Sequence, residues 1–195
     1  MPFVENRVYV RDFSSLPKDS PLLTPVPTAP GHKQQFIHKA VLADFMDMSS
    51  ALNKDLGFPI LVASGWRPPL WATRTAYEKD MIAQYGSVAK GQKFRAFASS
   101  HQTALAFDFG CGGLYPVSKT IDEQKKTKTY LWLVDNAYKY GWTNFHVEPW
   151  HYEHKVTQQA FLTGIPEVLT LGPVYVNRTC EDDNCVEELD ELSKV

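Results

Sequence analysis

SSHQTALAFDFG, residues 99–110, holds the residues on which the reading of this chain turns. Positions 104–110 alternate well enough for a short strand, which Gly110, Gly112 and Gly113 then break. Around it stand Ser99, Ser100, His101 and Asp108. An unpaired imidazole and carboxylate are costly on a buried strand, whereas a metal centre requires such groups. His101 and Asp108 supply two ligands if the chain between them turns back or runs extended. A catalytic zinc takes three protein ligands and keeps a fourth position for water.

The third candidate lies in EPWHYEH, residues 148–154: it is His151. Glu148 precedes it by three, and in extended chain that spacing points two side chains to opposite faces. A bend at Pro149 would instead turn Glu148 toward the same cavity. A carboxylate there is suited to be general base for a water that zinc has brought to a pKa of about 7. Arg67, in SGWRP (64–68), follows a short apolar run that can aim its planar guanidinium into a cleft, onto a carboxylate or a developing oxyanion. Taken singly, each residue has a plainer reading. His101 would be a hydrogen-bonded structural histidine, Asp108 a turn residue, Arg67 a surface ion-pair partner and EPWH a packed aromatic corner. Together they fill separate roles in one mechanism.

Five prolines between Pro17 and Pro30 make residues 1–32 an extended, irregular arm, in which Val8, Val10 and Phe13 could form an edge strand. Phe36, Val41, Leu42, Phe45, Met46 and Leu52 form one apolar stripe and predict a helix over 34–54, ended by Gly57 and Pro59. Residues 59–65 read as a buried strand, 70–86 as a helix stopped by Gly86 and 87–98 as a loop. A helix is expected over 120–140, β structure over 144–154 and a short helix over 156–163. The order predicts an α+β fold with a small, mainly antiparallel sheet covered by helices. The expected division is an arm over 1–32, a domain over 33–164 that carries the candidate zinc site, and a C-terminal extension with an acidic tail over 165–195.

With 44% hydrophobic and 22% charged residues, the chain has the balance of a globular protein rather than a disordered one. A net charge of -2 does not favour nucleic-acid binding, and the lysines of residues 122–130 make only a local patch. No apolar run is long enough to predict a membrane span. No secretory leader is legible in residues 1–19, so the expected location is the cytoplasm, or release by lysis or from a particle. Cys111 is read as core. Cys180 and Cys185, which flank EDDN, are read as free thiols ahead of a local disulfide. His146 is read as structural and His154 first as an ordinary exposed residue. Of the aromatic residues near the motifs, Trp150, between Glu148 and His151, is a candidate for substrate contact.

These segments carry a family resemblance. SSHQTALAFD resembles the Ser-x-His-x-x-Gly-x-Ala-x-Asp motif of zinc D-alanyl-D-alanine carboxypeptidases, a family that includes vancomycin-resistance D,D-peptidases and several phage endolysins. EPWHYEH is similar to its Glu-x-Trp-His motif and SGWRP to its Ser-Gly-Tyr-Arg segment, in the family's order, over roughly residues 33–164. The resemblance implies a Hedgehog/D,D-peptidase-like α+β fold, with Zn2+ on His101, Asp108 and His151. It implies Glu148 as general base, Arg67 for substrate or transition-state stabilisation and Ser99 at the substrate site. The motif glycine is Ala104 here, so a positive φ at that position would strain the backbone.

The activity expected is hydrolysis of peptidoglycan stem peptides, as a D,D- or L,D-carboxypeptidase that releases terminal D-alanine. An endolysin-type endopeptidase, cutting for example an L-alanyl-D-glutamate bond, is the alternative, and a non-catalytic zinc module that binds wall fragments is a third reading. A non-haem iron oxygenase also uses two histidines and a carboxylate, but its usual His-x-Asp spacing is absent here. Oligomeric state is not legible in the sequence.

Overall fold

The computed structural model describes residues 13–92, 95–145 and 147–167. Val8, Val10, His146, Cys180, Cys185 and the acidic tail lie outside the described residues. Within them the architecture is α+β, with helices packed around two small antiparallel sheets. The first pairs β1 (Leu23–Val26) with β2 (Gln35–His38). The second has the order β3 (Ala106–Asp108), β5 (Glu148–His154), β4 (Trp142–Phe145), with β5 in the centre.

The helix expected over 34–54 begins only at Leu42. Residues 35–38 are β2, and a 3-10 turn over Lys39–Val41 leads into α1 (Leu42–Leu56). Phe36 and Val41 matched the helical stripe by spacing, but ladder pairing to Leu23–Val26 decides the local conformation, a non-local term that periodicity cannot register. The end of α1 is as expected, with Gly57 at φ +87° in the left-handed region and its N–H donating to the Asn53 carbonyl at 2.8 Å. Phe45, Met48 and Leu52 form the buried face of this helix. Phe45 meets Phe107 of β3 edge-on at 5.2 Å between ring centroids, and Phe107 meets Trp142 of β4 at 4.8 Å. Each such buried side chain contributes on the order of 1.5–3 kcal/mol.

The run 59–65 is extended but not a regular strand. It forms isolated bridges, Thr28 with Val62 and Ser64 with Asp108, and so ties the first sheet to the second. Its backbone is spent on two neighbours in succession: Val62 N–H donates to the Pro27 carbonyl, and Asp108 N–H donates to Ser64 at 2.7 Å. Helix α2 (Arg74–Tyr85) starts later than expected, because the Thr73 hydroxyl caps it by accepting from Ala76 N–H. Part of the expected loop 87–98 is a short helix, α3 (Val88–Gly91). The helix expected over 120–140 is broken into α4 (Ile121–Lys125) and α5 (Lys128–Asn136), followed by a 3-10 turn. Thr127 makes the break: its hydroxyl accepts from Tyr130 N–H and donates to the Gln124 carbonyl. The last described helix is α6 (Gln158–Thr163), where Phe161 packs on Phe13 at 4.6 Å between centroids.

Candidate metal centre

His101 enters from a 3-10 turn, Ser100–Thr103, directly ahead of β3. Ser99 caps that turn, its hydroxyl accepting from His101 N–H at 3.4 Å. The turn closes at Ala104 with φ +60°, the only non-glycine positive φ among the described residues. The substitution noted in the motif thus falls where the backbone is left-handed. After this reversal β3 runs straight to Asp108, so the chain first turns and then extends between the two candidate ligands.

Asp108 and His151 are cross-strand partners of β3 and β5. His151 Nδ1 lies 2.9 Å from Asp108 Oδ1, and His101 Nε2 lies 3.2 Å from the same oxygen. One ligand atom from each residue falls within 4.8 Å of the other two. All three are buried, with 1%, 9% and 7% of His101, Asp108 and His151 exposed. The outer nitrogens of both rings are engaged. His101 Nδ1–H donates to the Gly65 carbonyl at 2.7 Å, which leaves the Nε2 lone pair facing Asp108. His151 Nε2 lies 3.0 Å from Glu153 Oε1 and 3.1 Å from Ser100 Oγ. Burial alone would raise the Asp108 carboxyl, but the His101 and His151 rings outweigh it and hold it well below the usual carboxylate range. Burial opposes charge on His151, and the carboxylates of Asp108 and Glu153 reverse that, pushing the ring up to about 10.

Glu148 begins β5, half-buried, where burial raises its carboxyl above the ordinary value. It feels the charges of His151, Asp108, His101 and Arg67, so it stands in the electrostatic field of the same centre. The bend expected at Pro149 takes the form of an irregularity in the β4–β5 register: Asn144 pairs with Tyr152, whereas Phe145 pairs with Glu148. The Asn144 amide spans the irregularity, donating to the carbonyls of Glu148 at 3.1 Å and His151 at 2.9 Å. Arg67 is exposed, with its backbone N–H donating to the His101 carbonyl at 3.3 Å, so the loop that carries it is fastened to the metal-site turn.

Other candidates sit elsewhere. Trp150 is buried, and alternation along β5 sets it on the face of Tyr152 and His154, opposite His151. The Ser99 hydroxyl accepts the capping bond at 3.4 Å, and Ser100 is the serine beside His151. His154 is not exposed: it is 1% accessible, edge-on to Trp142, with Nε2 3.1 Å from Asp44 Oδ2 on α1. Cys111 is buried in the core, its thiol pushed up to about 12 by burial, and it is not among the groups that converge on the candidate centre. Three contributors escaped the sequence reading: Glu153, Asn144 and the Gly65 carbonyl. Glu153 was within reach of it, because residues two apart on a strand share a face and His151 is two before it. The other two depend on pairing and backbone position, which carry no sequence signal.

The donor set suits a zinc ion. Two imidazoles and one carboxylate converge, each ring is held through its second nitrogen, and three protein ligands leave room for a further one. No helix among the described residues is long and apolar enough to cross a membrane.

The family model described as VanY, D-alanyl-D-alanine carboxypeptidase, matches residues 34–157. No curated protein matches the chain. Among solved structures, the chain is similar to a vancomycin-resistance D,D-pentapeptidase VanY from the VanB-type cassette, a variant in complex with Zn(II), at 20% identity and a TM-score of 0.45, covering 84% of this chain and 94% of that one. It is also similar to VanYB in complex with D-Alanine-D-Alanine, at 20% identity and a TM-score of 0.44, covering 84% and 92%. A third likeness is to the LdcB LD-carboxypeptidase, at 21% identity and a TM-score of 0.36, covering 79% and 99%.

Proposed function

From the premise that this chain belongs to the VanY D-alanyl-D-alanine carboxypeptidase family, we propose that it is a zinc-dependent carboxypeptidase that removes terminal D-alanine from peptidoglycan stem peptides. The observation that carries the reading is the convergence of ligand atoms from His101, Asp108 and His151 within 4.8 Å, in the electrostatic field of Glu148.

His101 through Nε2, Asp108 through its carboxylate and His151 through Nδ1 would hold the ion. When bound, zinc supplies Lewis-acid polarisation of the scissile carbonyl and activation of water. Glu148 accepts the proton of the attacking water and passes it to the departing amine. Arg67, exposed at the edge of the site, presents a planar fork to the free carboxylate of the substrate or to the developing oxyanion. Burial of the ligands strengthens these electrostatic contributions by keeping bulk water away.

The test is digestion of purified muropeptides by zinc-loaded protein, with products weighed by mass spectrometry. Loss of one alanine from pentapeptide or tetrapeptide stems supports the reading. A cut inside the stem would assign endopeptidase activity instead, and intact peptides with zinc bound would assign a wall-binding module. Metal analysis after chelator-free purification separates zinc from iron.

A further inference from the structure

We propose that Glu153 is a positioning residue for the metal centre: with Ser100 it holds the outer nitrogen of His151, so that Nδ1 of the ring faces the ion. The inference rests on the metal reading above and deepens it.

Glu153 lies on β5, the central strand of its sheet, paired through the backbone with Ala106 on one side and Thr143 on the other. A carboxylate in mid-sheet is unfavourable unless its charge is met. Here it is met first by the His151 ring, with Oε1 3.0 Å from Nε2, and also by a hydrogen bond from Ser100. The geometry follows from the strand, since side chains two apart project from the same face and rise side by side. Ser100 completes the arrangement from the turn that presents His101, with its hydroxyl 3.1 Å from the same nitrogen. A single carboxylate oxygen and a hydroxyl therefore converge on Nε2 while Asp108 meets Nδ1 at 2.9 Å. Asp108 is itself a candidate ligand, so Nδ1 is the nitrogen on the side of the metal centre; with an ion there, Nδ1 would bind it and Nε2–H would donate to the Glu153 carboxylate. The His101 ring is held the opposite way round, by the Gly65 carbonyl on Nδ1. Each histidine thus presents a different nitrogen, and a different partner enforces the choice. Charge on Glu153 also strengthens the ring as a donor to the ion, which the neutral Gly65 carbonyl does less.

The experiment compares the full wild-type chain with Glu153→Gln, Glu153→Leu and Ser100→Ala. Zinc affinity is read by competition with a chromophoric chelator, and the cobalt-loaded proteins are read by visible absorption. The expected order of affinity is wild type, then Glu153→Gln, then Glu153→Leu, with the last about 10–100-fold weaker. Glutamine keeps an acceptor for Nε2–H and should retain the cobalt spectrum, whereas leucine frees the ring and should change it. If Glu153→Leu does not fold, Glu153→Gln alone carries the comparison through its loss of charge. Equal affinities and spectra in wild type and the Glu153 variants overturn the proposal and leave the metal reading standing. A wild-type chain that takes up no zinc overturns the metal reading itself.

Discussion

The Gly65 carbonyl accepts from His101 Nδ1 at 2.7 Å, and a Cβ built on Gly65 would lie 2.3 Å from the Phe36 carbonyl oxygen. The residue that orients one candidate ligand is therefore pressed against β2 with no space for a side chain. Gly65→Ala is expected to lower stability by about 1–3 kcal/mol through overpacking and to weaken zinc binding about 10–100-fold by moving the carbonyl. Gly57→Ala is the control: it strains a left-handed turn that has nothing within 4 Å, so it should cost stability and leave zinc affinity unchanged. Melting curves and chelator competition on both variants check the difference.

Glu148→Gln keeps the size of the side chain and removes its ability to take a proton. The three candidate ligands are untouched, so zinc per chain should equal that of wild type. Turnover should fall by about 10^2–10^4-fold, the range for loss of a general acid–base group. Atomic emission on the purified protein and rates on a stem peptide give the two readings. Unchanged turnover with zinc bound would remove Glu148 from the mechanism.

Ala104 holds φ +60° at the close of the His101 turn and is completely buried. A left-handed alanine carries about 1–2 kcal/mol of strain. Ala104→Gly relieves it but loses about 0.8 kcal/mol of methyl burial and adds about 0.5–1 kcal/mol of unfolded-chain freedom. The net change should therefore lie within about 1 kcal/mol of wild type. Ala104→Val puts a β-branched side chain into the same backbone and should cost about 2 kcal/mol or more. Urea midpoints at constant slope measure both.

His38 needs to be neutral in the folded chain. Its Nδ1 accepts from Ala40 N–H at 3.1 Å, so Nε2–H donates to the Phe161 carbonyl at 2.9 Å. Protonation would set two hydrogens against each other at Nδ1. Burial lowers the ring below its ordinary 6.5, with the Phe161 bond opposing in part. The unfolded chain therefore binds a proton that the folded chain refuses, and stability falls as pH drops through 6.5 toward the depressed folded value. Denaturation at a series of pH values should show wild type losing more stability between neutral and mildly acid pH than His38→Gln. Parallel curves would sink this account.

Much of the proposed site was legible in residue types and their order. His101, Asp108, His151, Glu148 and Arg67 each have a plainer reading alone, and it is their combination, with one type for each role, that marks them as candidate ligands, base and cation. Helix ends were legible where a glycine must turn left-handed, as at Gly57 and Gly86. The α+β class followed from the alternation of helical and strand periods. Tertiary structure decided the rest, for reasons that act between distant parts of the chain. Pairing with Leu23–Val26 turned the expected start of α1 into β2. The register of β3 on β5 set Asp108 opposite His151. The Asn144 amide bound the two carbonyls that shape the turn at Pro149, and a glycine carbonyl chose the nitrogen that His101 presents. Side-chain chemistry is local and can be read in one dimension; the bonds that Gly65 makes to His101 and Ser100 to His151 come from chain tens of residues away and exist only once the chain has folded.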